Sequence, residues 1–110
     1  MIVMKFGGSS LASAAVIEWV TSIVKSHLPE QPVVVVSAMG KTTDRLVEAL
    51  QYAAQGSAYS AWRRLEDLRG YHFQETQRLL GADTRAFLDE SLRCFVSCTA
   101  YSSNWRKTRC

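Results

Sequence analysis

The first 92 residues contain no cysteine, and the last 18 contain no acidic residue. All three thiols, Cys94, Cys98 and Cys110, stand in that terminal stretch. An odd number of cysteines in a chain expected to be cytoplasmic argues against a disulfide framework. Their C-x3-C-x11-C spacing lacks the paired C-x2-C knuckles and nearby histidine of a zinc site, so no metal site is expected. Proline occurs only at Pro29 and Pro32, and no apolar run approaches the roughly 20 residues that span a bilayer. The opening Met1-Ile2-Val3-Met4-Lys5-Phe6 has no basic n-region, long apolar segment or small-residue cleavage site. A cytoplasmic protein without a membrane partner is the expectation.

The net charge of +3 invites a nucleic-acid reading, which its distribution removes. Residues 1–92 carry nine Lys or Arg against ten Asp or Glu, a net of −1. Residues 93–110 add Arg93, Arg106, Lys107 and Arg109, a net of +4. A surface built to neutralise phosphates along a duplex needs its cations on one folded face. The body has none, and no nucleic-acid partner is expected.

What is present is an alternation of strand and helix signals. Ile2-Val3-Met4-Lys5-Phe6 reads as a buried strand, broken by Gly7-Gly8-Ser9-Ser10. A helix follows, capped by Ser13 and carrying Val16, Ile17, Val20, Ile23 and Val24 at helical spacing, with Trp19 widening the stripe. It should end near His27, because Pro29 and Pro32 cannot continue it. Val33-Val34-Val35-Val36 has no polar alternation, which suits a strand covered on both faces, as in a parallel sheet. After the turn at residues 37–42, a second helix starts at Thr43 or Asp44 and runs through Leu46, Val47, Leu50 and Ala54 to Gly56. This βαβα opening predicts an α/β fold.

Residues 58–80 are helical in pattern through Trp62, Leu65, Leu68, Phe73, Leu79 and Leu80. Gly70 interrupts them at a cost of about 1 kcal/mol relative to Ala, which allows a kink or two shorter helices. Gly81 ends the segment, and Asp83 or Thr84 can cap a further helix carrying Phe87, Leu88 and Leu92. Beyond Leu92 the periodicity vanishes. Residues 1–92 are therefore one body, and the basic, Cys-containing tail 93–110 is expected to be disordered and open to proteases.

Two turns combine a strand end, small residues and a helix start, where ligands bind in parallel α/β sheets. In Lys5-Phe6-Gly7-Gly8-Ser9-Ser10, bare glycine amides and the following helix start can face an anion. A lysine at the end of a buried strand also needs a partner, which a phosphate would supply. A snorkelling lysine before an ordinary Gly-Gly turn is the alternative, and the residues alone leave both open. In Ser37-Ala38-Met39-Gly40-Lys41-Thr42-Thr43-Asp44, Gly-Lys-Thr suggests half of a Walker A loop. The required first glycine falls at Val35, inside the strand, so that motif fails. There remains a hydroxyl-rich turn suited to a small carboxylate or a phosphate, with Thr43 either serving it, capping the helix, or both. His72 reads as a partly buried structural histidine, Trp19 and Trp62 as core or interface. Arg63 and Arg64 form a solvated face paired within a turn to Glu66 and Asp67.

Taken together, the two turns resemble the aspartokinases. Lys5-Phe6-Gly7-Gly8-Ser9-Ser10 looks like their amino-terminal motif, and residues 33–44 look like their second, in order and at the family's spacing. The resemblance extends more loosely to about residue 92 and implies the N-terminal part of the amino-acid kinase αβα sandwich, with a mostly parallel sheet. It implies transfer of the γ-phosphoryl of Mg2+-bound ATP to the β-carboxylate of L-aspartate, opening the route to lysine, threonine and methionine. Carried over by position, Lys5 would neutralise the transferring phosphoryl. The amides of Gly7 and Gly8 and the Ser9 hydroxyl would cradle phosphate oxygens, and Ser37 and Thr43 would hold the aspartate. The full-length family member is expected to be a homo-oligomer in the cytoplasm.

Nothing in the chain matches the glutamate motif with which aspartokinases hold the substrate amino group. The expectation is a shortened family member, with a truncated or frame-shifted tail, that does not turn over alone. The rival readings are another amino-acid kinase, acting on glutamate or acetylglutamate, and a non-catalytic α/β fragment with an anion site.

Overall fold

The computed structural model describes residues 1–85 and Arg93. Strand β1 (Ile2–Phe6) leads through a short 3-10 turn (Gly8–Leu11) into helix α1 (Ala14–Ser26). A second 3-10 turn (Leu28–Glu30) delivers the chain to β2 (Pro32–Val36), followed by α2 (Thr42–Ala54) and α3 (Ala58–Leu80). Residues 1–79 form one compact unit; in the second, from Leu80 on, the described residues include the 3-10 turn Gly81–Asp83, whose Gly81 carbonyl accepts the Thr84 hydroxyl. The helix expected to carry Phe87, Leu88 and Leu92, and the tail with its three cysteines, lie outside the described residues. No helix among the described residues is long and apolar enough to cross a membrane.

The two strands pair in parallel, from Ile2 opposite Pro32 to Phe6 opposite Val36. A parallel pair needs a crossover, and α1 supplies it. This is the α/β arrangement expected from the alternation of strand and helix signals. Ser13 caps α1 as its sequence position suggests, its Oγ accepting from the Val16 amide at 3.4 Å. The helix stops at His27, one residue before the turn that holds Pro29. Gly56 and Gly81 end α2 and α3 with φ of 83° and 56°, a left-handed conformation that costs glycine little.

Both strands are more open than their apolar runs suggest. Ile2, Met4 and Phe6 are half-buried on one face of β1, but Val3 and Lys5 are exposed on the other. The four valines of β2 keep 39–58% of their surface. A run without polar alternation needs a layer on each face, and the two-stranded sheet of the described residues has no such pair of layers. The expectation of buried strands is thereby corrected. Trp19 and Trp62 are likewise exposed rather than core. The buried hydrophobic residues are Leu11, Ala14, Val20, Ala49, Ala61 and Leu68, half of them alanines, and Leu68 is the large side chain that is fully buried.

α3 is a single helix of 23 residues through Gly70, not two shorter ones. Leu68 and the buried Ala61 and Glu75 recur every seven residues along it, so its packed face is continuous across the glycine. Arg63 pairs with Asp67 within α3 at 3.7 Å as expected. Arg64 instead reaches Glu48 of α2 at 3.1 Å, and Glu66 pairs with Arg69 at 2.8 Å. Hydrogen bonding to Tyr52 and the charge of Glu48 hold the Arg64 guanidinium above its ordinary pKa.

Candidate functional site

Parallel pairing puts the carboxyl ends of β1 and β2 on the same edge of the sheet, and both small-residue turns leave from it. The Ser37 amide donates to the Phe6 carbonyl at 3.0 Å, extending the ladder one residue beyond the strands. The Gly40 amide then donates to the Gly8 carbonyl at 3.0 Å. The two turns are thus hydrogen-bonded to each other. A Cβ on Gly8 would fall 2.6 Å from the Gly40 carbonyl oxygen and 3.4 Å from that of Ala38. Only glycine allows this approach of two backbones.

In the first turn Gly7 is extended (φ −79°, ψ 177°) and Gly8 begins the 3-10 turn. The amides of Gly7 and Gly8 donate to no acceptor among the described residues. Gly7 and Ser9 are exposed. Lys5 stands on the open face of β1, paired in register with Val35, and its ammonium has no ion pair or hydrogen bond among the described residues. The desolvation expected of a buried lysine is therefore absent, because the face that carries Lys5 is open. Its charge is instead available in solvent beside the turn.

One expectation for this turn changes. The start of α1 was to lend its positive potential to an anion, but a carboxylate of the chain already occupies it. Glu75 of α3, with its side chain only 8% exposed, accepts the Ala14 amide at 2.8 Å through Oε2 and Arg78 at 2.7 Å through Oε1. Ser13 and Glu75 together satisfy two of the amides that any helix start leaves orphaned, and Glu75 answers the dipole there. The groups of this turn left without a partner among the described residues are the Gly7 and Gly8 amides and the Lys5 ammonium.

In the second turn Gly40 takes φ 51°. Thr42 opens α2, a residue earlier than expected, and its Oγ1 donates to the Met39 carbonyl at 2.5 Å. Thr43 is the second residue of α2, Lys41 holds the N-cap position, and no side chain caps the helix. The capping role for Thr43 is thereby corrected: a residue already inside the helix cannot accept its own first-turn amides. Thr43 and Ser37 are both exposed, and their hydroxyls make no hydrogen bond among the described residues. Lys5 near the end of β1, Gly7, Gly8, Ser9 and Ser37 in the two joined turns, and Thr43 in the first turn of α2 thus stand at one sheet edge.

Three residues of α3 that support these turns were not singled out as such from the sequence. The Tyr71 hydroxyl donates to the Ala12 carbonyl, and its ring lies under the Arg45 guanidinium, 5.1 Å from carbon to centroid. His72 is half-buried, as a structural histidine should be. Its Nδ1 donates to the Leu68 carbonyl at 2.9 Å, and its Nε2 lies 3.5 Å from Thr42 Oγ1. Glu75 is the third. Its signal was present: a carboxylate seven residues after Leu68 falls on the apolar face, where it needs a partner.

The chain is 53% identical over 47 residues to a protein named aspartokinase 2, chloroplastic, from Arabidopsis thaliana, across 43% of this chain and 9% of that one. It is 52% identical over 66 residues to one named aspartokinase 3 from Bacillus subtilis (strain 168), across 53% of this chain and 14% of that one. The chain thus matches only a small part of the length of these curated relatives. The model of the amino acid kinase family matches residues 1–93, most of the chain and both turns, and the chain belongs to that family.

Proposed function

We propose that this chain carries the nucleotide-phosphate and aspartate turns of an aspartokinase, serving the reaction of ATP and L-aspartate to 4-phospho-L-aspartate and ADP. The observation that carries the reading is the Gly8–Gly40 junction, which sets a turn with two undonated glycine amides against a turn with two unpaired hydroxyls. Phosphoryl transfer asks a protein chiefly for positioning and charge neutralisation. In this reading the Gly7 and Gly8 amides and the Ser9 hydroxyl hold phosphate oxygens. Lys5, whose ammonium has no partner among the described residues, offsets charge on the phosphoryl as it passes to the β-carboxylate. Ser37 and Thr43 hydrogen-bond the aspartate. Mg2+ arrives with the nucleotide, whose phosphates it neutralises.

We read residues 1–92 as the N-terminal portion of the catalytic domain and 93–110 as a separate tail. Because no segment matches the family's glutamate motif, the 110-residue chain is expected to bind without turning over. The test is a titration of the isotopically labelled chain followed by backbone amide shifts. Mg-ATP should move Gly7, Gly8 and Ser9, and L-aspartate should move Ser37 and Thr43. A first turn that ignores Mg-ATP would end the nucleotide assignment. A second turn that answers L-glutamate more strongly than L-aspartate would make this a different amino-acid kinase.

A further inference from the structure

Tyr71 touches both turns with one oxygen. Its hydroxyl donates to the Ala12 carbonyl, at the exit of the first turn. The same oxygen lies 2.9 Å from the position a Cβ on Gly40 would take, so it fills the space beside the second turn. Gly40 is in turn the residue whose amide holds Gly8. The Tyr71 ring is fixed from a third side by Arg45 of α2, and one helical turn further along α3 Glu75 holds the Ala14 amide. The helix therefore grips the first turn's exit at two successive points, and the second turn leans on one of them.

We propose that Tyr71 is a positioning residue that sets the spacing of the two turns, and through it the affinity of the site for both of its ligands, while touching neither. The ligand half of this statement rests on the function proposed above; the geometric half does not. A hydroxyl that is hydrogen-bonded to the Ala12 carbonyl and fills the space beside Gly40 limits how far the Gly8–Gly40 hydrogen bond can open. Without it the second turn keeps its glycine backbone but loses its stop. The undonated amides of the first turn and the hydroxyls of the second then no longer hold one separation.

The experiment uses the 110-residue chain, three single variants and one double variant. Tyr71→Phe removes the hydroxyl and keeps the ring under Arg45. Hydrogen exchange of the Gly40 amide should accelerate about fivefold, the equivalent of one ordinary hydrogen bond. Arg69→Ala, which breaks an ion pair elsewhere on α3, should leave that amide unchanged. Gly40→Ala forms a cycle with Tyr71→Phe. An added Cβ meets the hydroxyl oxygen at 2.9 Å but the ring carbon beneath it only at 3.7 Å. Gly40→Ala should therefore lower the melting temperature less in the Tyr71→Phe background than in the parent, the backbone strain at φ 51° being common to both and cancelling. In the ligand arm, Mg-ATP and L-aspartate should each bind about threefold to tenfold more weakly to Tyr71→Phe at a temperature where circular dichroism shows both chains folded.

Unchanged Gly40 exchange in Tyr71→Phe overturns the proposal. So does acceleration shared equally by the Ala49 amide in α2, which would mark a general loss of stability, or a Gly40→Ala penalty equal in both backgrounds. If the parent chain binds neither ligand, the proposed function fails, and the exchange and the cycle still decide whether Tyr71 spaces the turns.

Discussion

The contact between Gly8 and Gly40 makes a sharp test because the neighbouring Gly7 supplies its own control. A Cβ on Gly8 would sit 2.6 Å from a backbone carbonyl oxygen, closer than real Cβ atoms come, and the obstacle cannot swing aside like a side chain. To admit it, the second turn must retreat and the hydrogen bond from the Gly40 amide to the Gly8 carbonyl must stretch or break. Forcing one methyl group into a packed contact costs about 1–3 kcal/mol. A lost backbone hydrogen bond adds about 1 kcal/mol. Gly8→Ala should therefore destabilise the chain by about 2–4 kcal/mol, a fall of about 10–25 °C in melting temperature for a domain this size. Gly7 has nothing within 4 Å of its Cβ position and an extended backbone that alanine adopts freely. Gly7→Ala should be neutral or stabilising by up to about 1 kcal/mol, since it narrows the unfolded ensemble. Thermal unfolding followed at 222 nm, a far-ultraviolet helix signal, reads both. Equal melting temperatures for the two variants would refute the claim that the turns are joined at Gly8.

Lys5→Ala should weaken Mg-ATP binding at least tenfold by titration, an effect on the order of one lost charge-assisted hydrogen bond. Its melting temperature should not move, because the ammonium has no partner among the described residues. Thr43→Val should weaken L-aspartate binding by about threefold to tenfold while stability stays within about 0.5 kcal/mol; a cap-sized loss of stability instead would restore the capping role. Gly70→Ala should raise stability by about 0.5–1 kcal/mol in chemical denaturation, since the residue is in mid-helix with open space around its Cβ position. Glu75→Ala should cost about 2–3 kcal/mol, leaving the Ala14 amide without its acceptor, and Glu75→Gln about 1 kcal/mol or less, because an amide oxygen can still accept; equal losses would mean that the charge rather than the hydrogen bond matters there.

The order of elements was legible because each rests on local chemistry. Ser13 caps α1 whatever lies beyond it, proline stops that helix, and Gly56 and Gly81 stop the next two. The number of α3 helices was not legible. Gly70 reads as a break on propensity alone, but a penalty near 1 kcal/mol is smaller than what burial of Leu68 contributes to keeping the helix whole. The burial of the strands was misread for a related reason. Composition reports which surfaces are apolar, while exposure depends on which layers are there to cover them, and the four valines of β2 have the first property without the second.

The site divides along the same line. The residues proposed for it, Gly7, Gly8, Ser9, Ser37 and Thr43, lie within seven residues of their strand ends, so a strand-turn-helix reading can propose them without knowing what packs where. The supports come from more than thirty residues along the chain from Gly40, and no local pattern joins them. Glu75 makes the point physically. On the sequence it is one acidic residue in a helix of mixed charge; in the fold it is almost fully buried and accepts an amide 61 positions earlier. A carboxylate there would be costly alone, and the start of α1 would be costly with its amides unmet. Each resolves the other's deficit, so the pairing holds α3 against α1 with more geometric definition than apolar contact provides. With the helix start already answered by a residue of the chain, the anion of the proposed function would meet the glycine amides and Lys5, and its affinity would depend on how those few groups are spaced.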